Sequence, residues 1–143
     1  MSKFTVAKFL PVIHKAVGLL KIMALDQDQI DELKSYYPNL GAVEDGEKSF
    51  VLISPLPLPE GCVPQIVDGL LCPFSRDGYP SRLFLSAKIT HKGQGQNWNA
   101  DGLMIAGRKW WAVSWNPLKN KQPNQDVNQR LLGMVTAHLQ AFQ

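Results

Sequence analysis

The chain has 143 residues, enough for one domain that buries a real hydrophobic core. Its 45% apolar and 19% charged residues are ordinary for a soluble globular protein and argue against a disordered chain. A formal net charge of +3 is too small on its own to indicate a nucleic-acid binder.

The charge is unevenly spread. Residues 1–22 hold four lysines and no acid, residues 23–48 carry a net −5, and the remainder a net +4. An acidic belt between basic flanks fits the steering of a charged protein partner, and equally an ordinary solvated surface. Cys62 and Cys72 have no paired spacing, so neither a disulfide framework nor a zinc site is expected. No metal or cofactor is predicted. A reducing, cytoplasmic setting follows from that cysteine usage. Pro11, His14, Lys15 and Lys21 interrupt the apolar N-terminal stretch, against a signal peptide, and no segment approaches the length of a membrane span.

In chain order, Val6, Phe9, Leu10, Ile13, Val17 and Leu20 recur at helical spacing around Pro11. Residues 1–24 are read as an N-terminal helix or arm: packed on the domain, bound to a partner, or loosely held. A second helix has Asp26 as N-cap with Gln29 three residues on, Ile30, Leu33 and Tyr37 on one side, and Pro38 as its stop. Asp28, Asp31 and Glu32 fall where the helix dipole favours negative charge. Leu40–Val43 and Ser49–Ser54 flank Glu44-Asp45-Gly46-Glu47 as a hairpin. The apolar run Phe50-Val51-Leu52-Ile53 predicts a strand buried on both faces. Pro55-Leu56-Pro57-Leu58-Pro59 predicts an extended surface crossing rather than a central strand. A third strand is expected over Ile66–Pro73, a turn at Ser75-Arg76-Asp77-Gly78, and a fourth strand over Arg82–Thr90. Lys92–Asn99 reads as a loop, and Leu103–Ala106 with Lys109–Ser114 as a hairpin across Gly107-Arg108. Lys119–Asn124 is a further loop. Asp126 and Gln129 repeat the capping-box spacing before a helix whose buried stripe is Val127, Leu131, Met134, Val135, Leu139 and Phe142.

Several pieces stand in a telling order: Leu56-Pro57-Leu58-Pro59, Tyr79-Pro80, the strand leading to His91, Asp101-Gly102, Trp110-Trp111-Ala112-Val113-Ser114-Trp115, Asn116-Pro117 and a closing helix. Residues 25–143 thereby resemble the ubiquitin-conjugating superfamily, and more closely its bacterial branch called family E. The resemblance implies an α+β, UBC-like fold: an antiparallel meander of about four strands with N-terminal and C-terminal helices, and a turn at Asp101-Gly102. It also implies a bacterial ubiquitin-like conjugation pathway of the kind associated with antiphage defence, with a ubiquitin-like protein and its activating enzyme as partners. The chain departs from the family at two points. Leu103-Met104-Ile105 stand where the thioester cysteine belongs. Lys92 and Gly93 replace the Pro and Asn that follow the motif's histidine, here His91.

Without that cysteine, an acyl carrier must come from elsewhere. Cys72 lies in an apolar strand and reads as a small buried hydrophobe, while Cys62 beside Gly61 reads as the more accessible thiol, far from the usual site. Ser114 is the alternative nucleophile, forming an oxyester with His91 as its base; both residues also have plain structural readings, Ser114 as a turn cap and His91 as a strand-end histidine. Asn97 and Asn99 are candidates for the oxyanion contact of the missing asparagine. Trp111 and Trp115 would desolvate the site, and Arg108 and Lys109 would guide an acidic tail. Two functions follow: a non-cysteine transferase that carries a ubiquitin-like protein, or an inactive UBC-like module that docks this protein or its activating enzyme. Nucleic-acid stacking on the tryptophans of residues 108–121 is the weaker third reading, so no nucleic acid is expected as a partner.

Overall fold

The computed structural model describes residues 27–116 and 130–143. The N-terminal segment, the Asp26 and Asp126/Gln129 caps, Pro117, Val127 and the Lys119–Asn124 loop lie outside the described residues. The architecture is α+β. Helix α1 (Gln27–Tyr36) is followed by strands β1 (Leu40–Asp45), β2 (Lys48–Pro57), β3 (Cys62–Val63), β4 (Ile66–Cys72), β5 (Arg82–Leu85), β6 (Thr90–His91), β7 (Trp98–Ile105) and β8 (Arg108–Val113). Helix α2 (Leu131–Leu139) runs into a 3-10 turn at Gln140–Phe142.

Six strands form one sheet in the order β1-β2-β4-β5-β8-β7, and β3 pairs with β6 in a separate two-stranded sheet. Every pairing is antiparallel. The expected four-strand meander is therefore present as β1-β2-β4-β5, and the β7–β8 hairpin extends it through Leu85 opposite Trp111.

Alternation along the strands builds a core on each face. Val51, Ile53, Leu71, Leu83 and Leu85 point to one side, where Ile30 and Leu33 of α1 and Leu131, Met134, Val135 of α2 cover them. Phe50, Leu52, Leu70, Cys72 and Phe84 point to the other, joined by Ala100, Ile105, Trp110 and Ala112. No helix residue enters this second core among the described residues; the strands and Phe74 line it. The run Phe50–Ile53 is apolar throughout because both of its faces are buried. α2 begins without a side-chain cap of its own; the Gln29 side chain of α1 accepts from the Leu131 N–H at 3.1 Å, and Arg130 reaches Glu32 at 2.8 Å.

Three expectations are corrected. The proline segment continues β2 instead of leaving the sheet: Leu56 pairs with Val67 and Pro57 with Ile66 beyond a bulge after Ile53. β1 begins opposite Ile53, so among the described strands this end of β2 pairs with β4 alone and the prolines lose no ladder donor, while Leu56 and Leu58 fill the first core. The fourth strand stops at Leu85. Ser86 still bonds back to Asp68, but Thr90 and His91 change partner, to Val63 and Cys62 of β3. Finally, Asp101-Gly102 is no turn. It lies inside β7, where the register shifts between Asp101 and Leu103 and Gly102 takes φ +76°. The hairpin reverses at Ala106-Gly107, both left-handed at φ +52° and +84°, the geometry of a tight two-residue turn.

Candidate functional site

Tyr79, Arg82, Asn99 and Ser114 come together where the β5, β7 and β8 chains meet. The Asp77-Gly78 turn places Tyr79: Arg76 and Tyr79 exchange backbone bonds at 2.9 Å across two left-handed residues. Arg82 opens β5 and is only 1% exposed. Its guanidinium lies 4.2 Å from the centre of the Tyr79 ring, donates to Asn99 Oδ1 at 2.9 Å and to the Val113 carbonyl at 3.3 Å, and has Asp77 at 3.5 Å. Burial pushes the Arg82 pKa down from its usual value, with Tyr79 and Asp77 opposing that shift. Next to it an open cleft of about 570 Å³ follows β7, lined by Asp77 and residues Asn99 to Met104.

Ser114 is exposed at the end of β8. Its N–H donates to the Asn97 carbonyl at 2.9 Å, and its hydroxyl meets the Tyr79 hydroxyl at 3.1 Å. A phenol is a hydrogen-bond partner for a serine, unlike the imidazole base that would activate one. His91 belongs to the other sheet. Its Nε2 is buried without a hydrogen-bond partner, and the ring lies 3.3 Å from where a Cβ on Gly61 would stand. The structure thus places no bond between His91 Nε2 and Ser114. Lys92 and Gly93 are both left-handed (φ +52° and +79°) and return the chain at once, with His91 and Gln94 exchanging backbone bonds at 2.9 Å. Proline, fixed near −65°, cannot take that first position, so this turn differs in kind from a His-Pro-Asn segment.

The remaining predicted residues are distributed around the hairpin. Asn99 is engaged by Arg82, and Asn97 contributes its carbonyl. Trp111 donates its indole N–H to Asp101 at 2.9 Å, beside the Lys88–Asp101 ion pair at 3.1 Å. Trp115 donates to the Ala137 carbonyl of α2 at 3.0 Å. Arg108 bonds Asp68 at 2.8 Å, stacks 4.6 Å above the Trp110 ring, and shares Asp68 with the Ser54 hydroxyl. Lys109 is exposed.

Neither thiol is open. Cys62, expected to be the accessible one, is 3% exposed and packs in the first core, and burial raises its pKa. Cys72 is fully buried; desolvation lifts its thiol to about 11 against smaller opposing effects, and its S–H donates to the Phe74 carbonyl at 3.4 Å. Such thiols are protonated and shielded at neutral pH.

Sequence reasoning missed Arg82 and the pair Ser81 and His138, whose side chains meet at 2.9 Å in the interior. A buried arginine announces itself only by interrupting the apolar strand Arg82–Leu85 on its inward face. His138 stands on the buried stripe of α2 and carries no other mark. No group of three or more His, Cys, Asp or Glu side chains is placed to hold a metal among the described residues, and no helix there is long and apolar enough to cross a membrane. No protein-family model, curated protein or solved structure matches the chain.

Proposed function

We propose that this protein is a UBC-like binding module of a bacterial ubiquitin-like conjugation pathway, one that docks the ubiquitin-like protein or its activating enzyme and carries no acyl group itself. The pathway part rests on the ordered sequence motifs and on their agreement with a helix, antiparallel meander and helix. The non-catalytic part rests chiefly on one observation: both thiols are sealed in the interior. An acyl carrier needs an exposed nucleophile with a base or a depressed pKa. Ser114 is exposed, but its hydroxyl is matched to a phenol.

The test is incubation with ATP, the activating enzyme and the ubiquitin-like protein encoded by neighbouring genes. A non-covalent complex, unaffected by Ser114→Ala, is the expected result. An adduct that survives thiol reductants, breaks in base and disappears in Ser114→Ala would instead establish the oxyester carrier. With no complex and no adduct, or no such genes nearby, the pathway assignment fails.

A further inference from the structure

Apolar packing fastens α2 to the sheet, supplemented by polar contacts at two consecutive residues. The Ala137 carbonyl accepts the Trp115 indole N–H at 3.0 Å, and the His138 ring meets the Ser81 hydroxyl at 2.9 Å. Ser81 is wholly buried and His138 is 6% exposed. Charged neighbours can be followed element by element. Helix α2 has no other ionisable side chain. Glu32 of α1 is taken by Arg130 at the opposite end of α2, and Lys34 lies in the last turn of α1. The Arg82 guanidinium of β5 is the charge that acts on the ring, and Asp77, which approaches Arg82 at 3.5 Å, is itself more than half exposed.

We propose that the Ser81–His138 pair is an acid-sensitive latch: protonation of His138 releases the C-terminal helix while the β1-β2-β4-β5 meander stays folded. The hydrogen bond itself tolerates protonation, because a serine oxygen accepts as readily as its hydroxyl donates. The charge is what the site cannot hold. An imidazolium there is desolvated and repelled by the buried Arg82 guanidinium, and among the described residues no carboxylate bonds the ring to offset that cost. Arg82 is pinned within the sheet by Asn99 and Val113, so relief comes by moving the ring to water, and the ring travels with α2. That helix contributes to no strand pairing and can separate without breaking a ladder. Burial and the guanidinium hold the imidazole down at about 4, against an ordinary 6.5, which sets the window in which acid acts. This inference stands apart from the binding-module reading.

Hydrogen exchange on the full chain, expressed as protection factors from pH 6.5 to 4, tests it. Protection over residues 131–142 should fall about tenfold per pH unit, one proton's worth, while residues 50–53 and 70–72 remain protected. His138→Gln should flatten that fall. Parallel loss of helix and sheet protection would overturn the latch, as would an unchanged pH response in His138→Gln. The wild-type comparison of helix with sheet decides the matter even where the variant does not fold.

Discussion

At Arg82 a permanent charge sits at 1% exposure, and its surroundings answer each part of the guanidinium: Asn99 and Val113 accept its N–H groups, and Tyr79 and Phe84 present ring faces at 4.2 and 5.4 Å. A buried ion of this kind contributes little by existing and costs a great deal when its partners are left behind. Arg82→Met keeps much of the volume but strands the Asn99 and Val113 oxygens. We expect a loss of about 2–4 kcal/mol in urea unfolding at neutral pH. Arg82→Lys should recover only part of it, since a single ammonium cannot replace a planar fork and its stacking. A loss below about 0.5 kcal/mol in Arg82→Met would mean that these contacts are incidental. Ser114→Ala, by contrast, removes a hydroxyl whose partner Tyr79 remains close to solvent, so stability should change little.

Between the elements, the Leu56 side chain of β2 packs directly onto the Gly69 backbone of β4. A Cβ built on Gly69 would lie 2.5 Å from Leu56 Cδ2, and Leu56 is fully buried on the far side of the bulge. The methyl has nowhere to retreat. Gly69→Ala should therefore destabilise by about 1–3 kcal/mol, the usual range for overpacking. Leu56→Val in the same chain should return part of that loss; strictly additive costs in the double variant would disprove the contact. The element level is also where the sequence reads best and where its limits show. The meander strands follow from short apolar runs bounded by turn residues, and α1 and α2 from three- and four-residue steps, because burial on a regular lattice leaves a local imprint. The proline segment misleads, since whether a proline breaks a sheet depends on whether that strand end has a second neighbour. Thr90 and His91 look like the tail of β5 for a similar reason: nothing local says that the partner changes from β4 to β3.

The molecule as a whole is a sheet with two cores, and the polar groups that matter most depend on which face and which strand they meet. Ser81 and His138 stand 57 residues apart, and Arg82 reaches Asn99 and Val113 over 17 and 31, so no local pattern marks them. Cys62 looked open because a glycine precedes it; the β3–β6 pairing closes it. The two thiols now offer a way to ask whether the molecule opens as one unit. Cys72 is paired with Arg82 inside the six-stranded sheet and sits in the second core. Cys62 is held by a sheet of only two residue pairs, against His91 and beside Thr90. Short ladders at the periphery open with less free energy than a central strand. In single-thiol chains, Cys62 in a Cys72→Ala background should react with an aromatic disulfide at least about tenfold faster than Cys72 in a Cys62→Ala background. Cys72 should also show the steeper dependence on urea, because reaching it exposes most of the buried surface. Equal rates with equal urea slopes, at matched stability, would show instead that the small sheet and the large one come apart together.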